Sequence, residues 1–404
     1  MAAPLGLADV ASHVLAQPEP APRSPAADSP CQTNVRVSSW SELDTPAVQL
    51  AWNALAACAA EPNPFNESWY LLAALRALDP AGMVKVLRFE AEGTLAGIMP
   101  LRSERRYYGW PIPHLAGWVH ANCFLGTPLV ARGLEREFWR ALLDWADRHA
   151  ARGLFLHLAQ MPLSGPVNEA LQAVLHEQRR PAALVHREQR ALLASDLSPK
   201  AYFEASLSGK KRKELRRQYT RLTELGEVEV VRTSDDAGLA RWIEEFLALE
   251  HSGWKGTNGS ALASHQSTAR MFKEALFGAA AHGRLERLTL LLNGEPIAML
   301  VNFITAPGAF SYKTAFDERY ARYSPGVLVQ RENLALLGTK GIAWCDSCAA
   351  ADHPMIDHIW RERRPIGRLS IAIGGGLRRW LFARLVAAEL RRNPAGPGSS
   401  RSPH

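Results

Sequence analysis

The sequence is poor in the features that mark secreted and membrane-spanning chains. Its five cysteines (Cys31, Cys58, Cys123, Cys345 and Cys348) are odd in number and scattered. That does not suit a secreted disulfide framework and fits a reducing compartment. No run reaches the roughly 18 apolar residues that a bilayer-spanning helix needs. The first basic residue is Arg23, so no charged segment precedes an apolar one as in a secretory signal. Together these absences point to the cytoplasm. Excess charge is also scarce over most of the chain. The net charge is +7, yet from Gly374 onward six arginines stand against Glu389 alone and supply +5 of it. The chain has a basic tail and is not basic throughout, which argues against a nucleic-acid partner.

What is present is an apolar fraction of 47% with 22% charged residues over 404 positions, enough for two ordinary domains with substantial cores. Residues 1–33, rich in Ala, Pro and Ser (Gln17-Pro18-Glu19-Pro20-Ala21-Pro22), lack periodicity and read as a disordered leader. The stretch Asn393–Ser400 reads the same way. Between them the second half is the clearer. A basic helix over about 199–225 precedes a strand at Val228–Val231, and a helix capped at Asp235 or Asp236 runs to Glu250. A helix over 264–281 leads into strands at 285–292, 296–304 and 309–315, the first two joined by Asn293-Gly294, a strong hairpin signal. A helix over 325–337, a strand at 342–345, a helix near 355–363 and a strand at 366–373 follow.

The first half repeats this plan more weakly, with a hairpin at Glu92-Gly93 matching the one at Asn293-Gly294. The expected organisation is therefore a leader (1–33), a degenerate N-terminal copy (34–195), a C-terminal copy (196–373) and a basic amphipathic helix with a tail (374–404). The alternative is one mixed α/β domain whose halves are alike by chance.

Tyr323-Ser324-Pro325-Gly326-Val327-Leu328 follows the third strand of the 285–315 meander. Ser324 suits an N-cap and Pro325 the first helical position. The amides of Gly326, Val327 and Leu328 would then be free at the positive end of the helix dipole, a site for a pyrophosphate. An ordinary capped helix start would use the same residues. The first half has Gly126-Thr127-Pro128-Leu129 before its helix and no Ser-Pro-Gly, so a second such site is not expected.

The β-α-α-β-β-β-α-β-α-β order resembles the GNAT acyltransferase fold, an α/β (α+β) mixed twisted sheet that splits between its fourth and fifth strands to admit CoA. More specifically, residues 197–373 resemble the GNAT subfamily named after the CelD/BcsL cellulose-biosynthesis proteins, relatives of FemAB transferases. The resemblance is carried by Leu207-Ser208-Gly209-Lys210-Lys211-Arg212-Lys213, Glu250-His251-Ser252-Gly253-Trp254-Lys255-Gly256, Tyr312-Lys313-Thr314-Ala315-Phe316-Asp317, Ser324-Pro325-Gly326 and Asp346-Ser347-Cys348-Ala349. It implies two tandem GNAT-like folds and an acyl-CoA donor. The acceptor it implies is an amine or hydroxyl of a saccharide, cell-envelope precursor or lipid base. The common GNAT phosphate loop is richer in glycine, and FemAB-type relatives use aminoacyl-tRNA. An aminoacyl transferase, or a non-catalytic component of an exopolysaccharide complex, is therefore the alternative.

Within that resemblance, acyl transfer needs a proton acceptor and a donor near the developing oxyanion. Glu250 ends the helix where GNAT enzymes build the acceptor pocket, and Asp346 would emerge from the strand at 342–345 into the cleft. Tyr312 is the candidate donor. Trp254 would wall the acceptor site, and Lys255 and Lys313 would neutralise a phosphate or polar acceptor. Cys345, Cys348, His353 and His358 have the spacing of a small zinc knuckle, but no glycine lies between Cys345 and His358 to allow the tight fold, so no metal is expected. The run Lys210–Lys213 with Arg216 and Arg217 reads as a solvated helix face. The basic amphipathic segment 377–392 can lie on an anionic membrane surface, or pack on its own domain or on a partner chain.

Overall fold

The computed structural model describes residues 32–392 apart from Asp352 and Pro354. The leader expected at 1–33 therefore lies almost wholly outside the described residues, and the tail beyond Arg392 wholly so. The first half contains β1 (Thr33–Ser38), α1 (Trp40–Leu43), α2 (Pro46–Cys58), α3 (Ser68–Leu78), β2 (Lys85–Ala91), β3 (Thr94–Glu104), β4 (His114–Gly117), β5 (Leu129–Val130), α4 (Glu135–His149), β6 (Phe155–Pro162), α5 (Pro166–Glu177) and β7 (Ala182–Leu193). The second contains α6 (Pro199–Ser206), α7 (Gly209–Thr223), β8 (Val228–Thr233), α8 (Leu239–Ser252), α9 (Trp254–Thr257), α10 (Gln266–Ala281), β9 (Leu285–Leu292), β10 (Glu295–Thr305), β11 (Gly308–Phe316), α11 (Pro325–Asn333), β12 (Trp344–Asp346), β13 (Glu362–Ala372) and α12 (Gly376–Arg392).

The two halves repeat one plan of strands and helices. The β2–β3 and β9–β10 hairpins both turn on two residues of positive φ: Glu92 (49°) and Gly93 (74°), then Asn293 (53°) and Gly294 (81°). That is the backbone a tight hairpin of the native strand twist requires. All strands join one mixed sheet, in the order β1-β2-β3-β4-β6-β13-β7-β12-β11-β10-β9-β8, with β5 paired to β3.

The centre of that order holds a strand exchange. β13, from the second half, lies antiparallel between β6 and β7 of the first. β7 in turn pairs antiparallel with β12 of the second half. Each half is thus completed by the last strand of the other. The halves share a core as well: Trp52, Phe65, Trp69 and Tyr70 of the first pack in one cluster with Trp242, Phe246, Phe272 and Phe303 of the second. Burying each such side chain contributes about 1.5–3 kcal/mol.

Several local expectations are corrected. The long basic helix is two, because Ser208 adopts an extended conformation and accepts a hydrogen bond from the Lys211 amide, starting α7 afresh. α8 begins at Leu239 after Gly238 in the left-handed region; Asp235 closes a turn on the Ala237 amide instead of capping the helix. No helix forms near 355–363. Isolated turns there, Asp357 N–H to His353 and Trp360 N–H to Ile356, set Ile359 and Trp360 into the core before β13 begins at Glu362. Among the described residues no helix is long and apolar enough to cross a membrane.

Candidate functional site

β11 and β12 run parallel but pair over three residues only, Gly308–Phe310 against Trp344–Asp346. Gly308 permits this start, since a Cβ there would lie 2.4 Å from the Trp344 indole. From Ser311 onward β11 has no partner on this side among the described residues, so the sheet opens where a GNAT fold splits. At the same point β11 bulges against β10: Val301 faces Lys313 while Asn302 faces Ser311, leaving Tyr312 as the extra residue. Strand side chains normally alternate between faces. The bulge instead brings the consecutive Tyr312 and Lys313 to one face, where the Lys313 ammonium lies 5.8 Å from the Tyr312 ring centre and 5.4 Å from that of Phe124.

This face is completed by the first half. The Tyr312 hydroxyl is 3.1 Å from that of Tyr70, which donates to the Asn122 carbonyl at 2.5 Å. His120 stacks on Tyr70 with ring centres 6.1 Å apart. Burial, reinforced by the charge of Lys313, pushes the His120 pKa down to about 3, so the ring is neutral. Its Nδ1 accepts from the Asn122 amide at 3.3 Å, which assigns the proton to Nε2. Lys313 has no hydrogen bond or ion pair among the described residues. Burial, and then the neighbouring Lys255, bring its pKa down to about 8, with Glu250 acting in the opposite sense.

At the mouth, Leu249, Glu250, Gly253, Trp254, Lys255 and Thr314–Phe316 line a small cleft with Glu318. Glu250 is buried; one oxygen accepts from the Lys255 ammonium at 2.9 Å and the other from the Leu262 amide at 2.8 Å. Lys255 also reaches the Thr314 carbonyl at 3.4 Å. Trp254 is half exposed, and its backbone N–H donates to Glu318 at 2.7 Å. Glu250, Trp254, Lys255, Tyr312 and Lys313, expected from the sequence to work together, are thus gathered within one region.

Asp346 is not with them. It is the last residue of β12, paired with Leu192 of β7, and its side chain is fully buried. One oxygen accepts from the Cys348 amide at 2.8 Å and lies 3.6 Å from Arg190; the other accepts from Arg364 at 3.2 Å. The expectation that Asp346 emerges into the cleft is corrected, because the strand runs one residue further than its apolar run and carries the carboxylate into the junction of the halves.

The turn at Ser324 also departs from expectation. Ser324 is left-handed (φ 55°) and its side chain caps nothing. The amides of Val327 and Leu328 both donate to its carbonyl, at 2.9 and 3.0 Å. Of the three amides expected to be free, only that of Gly326 has no acceptor among the described residues. Gly326 is packed under Met355 and Phe316, where a Cβ would come within 2.8 Å of the methionine sulfur. Pro325 and Leu328 are buried too. The Cys345 and Cys348 thiols lie in different core clusters, and burial pushes both pKa values up.

Tyr70, His120, Asn122 and Phe124 were missed by sequence reasoning. Nothing local marks them, since they meet Tyr312 and Lys313 only through the packing of the two halves.

Residues 209–353 match the model of an acetyltransferase (GNAT) domain. An uncharacterized protein of Agrobacterium fabrum is 35% identical over 83 residues, covering 19% of this chain and 56% of that protein, so this chain spans about half the length of the curated relative it matches. Among solved structures, that of FemX superposes with a TM-score of 0.53 at 10% identity, covering 84% of this chain and 98% of its own. A conserved protein of unknown function from Bacteroides thetaiotaomicron superposes with a TM-score of 0.52 at 11% identity, over 80% and 97% respectively. At these identities the likeness is one of fold, and it extends over both halves. Over residues 209–353 the chain is thus similar to the acetyltransferase (GNAT) domain.

Proposed function

We propose that the protein transfers an acyl group from acyl-CoA to an amine or hydroxyl of a saccharide, cell-envelope precursor or lipid base, working in the cleft where β11 parts from β12. The observation that carries this reading is the bulge at Tyr312 beside that opening. It places Lys313, which has no hydrogen bond or ion pair among the described residues, beside the Tyr312 and Phe124 rings, next to the small cleft that the Glu250–Lys255 pair lines. The donor pyrophosphate is assigned to the turn at Ser324, Pro325, Gly326, Val327 and Leu328, where the Gly326 amide and the positive end of α11 favour an anion. Met355 must move aside for it.

Trp254, Lys255 and Lys313 line the acceptor side. Glu250, the carboxylate that lines the cleft, is the proposed proton acceptor as the acceptor atom takes the acyl group. Tyr312 lies beneath as the proposed hydrogen-bond donor. Asp346 is left with a structural role. The first half supplies Phe124 and His120 as a wall.

Calorimetric titration of the purified protein with CoA, acetyl-CoA and a long-chain acyl-CoA tests the donor. Saturable binding is expected, weakened at least about tenfold in Gly326→Glu, whose carboxylate would oppose the phosphates; circular dichroism checks that the variant folds. Absence of binding by all three ligands would overturn the reading. The aminoacyl-tRNA-dependent transfer implied by the resemblance to FemAB transferases would then be tested next, being compatible with a fold like that of FemX over most of the chain.

A further inference from the structure

α12 follows directly on β13 and packs back against β13 and β7, although it belongs to neither repeat. Only one of its faces is used. Phe382 and Val386 enter a cluster with Tyr107 and Phe155, and Glu389 accepts from the Tyr107 hydroxyl at 3.0 Å. Arg378 reaches the Gly153 carbonyl at 3.3 Å, and Arg379 reaches Asp147 at 2.8 Å. These contacts hold α12 as a fixed helix on the body of the protein.

The other face carries large apolar groups in water. Leu377 is 73% exposed, Trp380 58% and Leu381 41%. A second exposed pair stands beside it on the tight turn between β3 and β4, where Tyr107 and Trp110 exchange backbone hydrogen bonds. Tyr108 is 54% and Trp110 60% exposed there. Because the Tyr107 hydroxyl bonds Glu389, this turn is fastened to the C-terminal part of α12. Two linked elements thus expose indole, phenol and leucine side chains to water.

The charges around them are of one sign. Arg105 and Arg106 on the turn, and Arg384 and Arg391 on α12, are exposed and form no ion pair among the described residues. The acids on the same segments are already engaged: Glu104 with Arg102 at 3.1 Å, and Glu389 with Tyr107. Exposed Trp and Tyr rings amid unpaired arginines match the headgroup layer of an anionic bilayer, which takes amphipathic rings at its interface and attracts each cation.

We propose that the outer face of α12 and the 107–110 turn dock this protein on a membrane surface containing anionic lipid. The helix lies along the interface without crossing it. The bilayer favoured here is the cytoplasmic leaflet, and a lipid or lipid-linked acceptor would then be presented to a protein already at the surface.

The test is co-sedimentation of the full chain with vesicles of phosphatidylcholine alone or with about one part in three phosphatidylglycerol, at low salt. Binding only to the anionic vesicles is expected, weakened about fivefold by each of Arg384→Ala and Arg391→Ala. The double variant Leu377→Ser with Trp380→Ser should bind no better than wild type binds neutral vesicles. All four side chains are exposed, so the variants should unfold at the wild-type temperature. Protein left in solution with both vesicle types, or variants that bind as wild type does, would overturn the proposal. So would a wild-type dimer, seen by light scattering, that Trp380→Ser converts to monomer, since that would give this face to a second copy. The readout needs neither acyl-CoA nor acceptor, so it succeeds or fails independently of the acyltransferase reading.

Discussion

Replacing Asp346 with alanine is expected to destabilise the fold by about 3–5 kcal/mol, the cost of stranding buried charge. The reason lies in the strand exchange. Arg364 of β13 and Arg190 of β7 are direct cross-strand partners, and like charges directly opposite each other in a sheet repel. Arg190 is 2% exposed. It donates to the Phe124 carbonyl and to Gln160, but these are neutral. Asp346, from the third strand of the junction, supplies the opposite charge to both guanidiniums. Glu188, 3.6 Å from Arg190 and more exposed, offsets part of the loss. Urea unfolding of Asp346→Ala is the measurement. A shift under about 1 kcal/mol, the size of an exposed ion pair, would remove the structural role assigned here. A normal unfolding curve with transfer abolished would return Asp346 to the chemistry.

Lys313→Met is expected to move stability and activity in opposite directions. Lys313 is held near pKa 8 by burial, below the roughly 10.4 of a free lysine. A depressed lysine pKa means that the folded state pays for the charge at neutral pH. That penalty is present below about pH 8 and relieved as pH rises toward the unfolded value. Methionine has a similar length and no charge, so the variant should be more stable at pH 7 by on the order of 1–3 kcal/mol. The advantage should fade between about pH 8 and 10.5. If the ammonium neutralises an anionic group of donor or acceptor, kcat/KM should fall about 10–100-fold, the worth of one charged hydrogen bond of about 1.5–3 kcal/mol. In the wild type, substrate affinity should then weaken above pH 8. Denaturation at pH 7 and pH 10, set beside transfer rates, checks both arms. Loss of stability at pH 7 would show that Lys313 has a structural partner, and unchanged kcat/KM would remove it from the site. Such a trade of stability for function is usual at sites kept under electrostatic strain.

Much of the local architecture was legible along the chain. Period-two apolar runs and the pairs Glu92-Gly93 and Asn293-Gly294 located the hairpins of both halves, because the twist of paired strands admits few residues at a two-residue turn. The segment from Glu250 to Lys255 and the Tyr312-Lys313 pair were site candidates through the resemblance to GNAT transferases. Misplaced elements were those decided by one or two residues of context. Asp346 was read as emerging because its apolar run ends at Cys345, yet a strand continues while its backbone has partners, and Arg190 and Arg364 make burial of the carboxylate tolerable. Ser324 has the composition of an N-cap, but its left-handed backbone turns the side chain from the helix.

The sequence by itself determined the repeat, the hairpins and the amphipathic tail helix, since these rest on periodicity and on turn chemistry confined to a few neighbouring positions; the candidate residues of the second half followed from the resemblance to GNAT transferases. Only the tertiary structure decided that β7 and β13 exchange between halves, and that Tyr70, His120 and Phe124 of one repeat pack around Tyr312 and Lys313 of the other. Those facts depend on which strands and loops meet after folding. Pairing between residues more than a hundred positions apart is set by the summed fit of a shared core, and no local pattern records it.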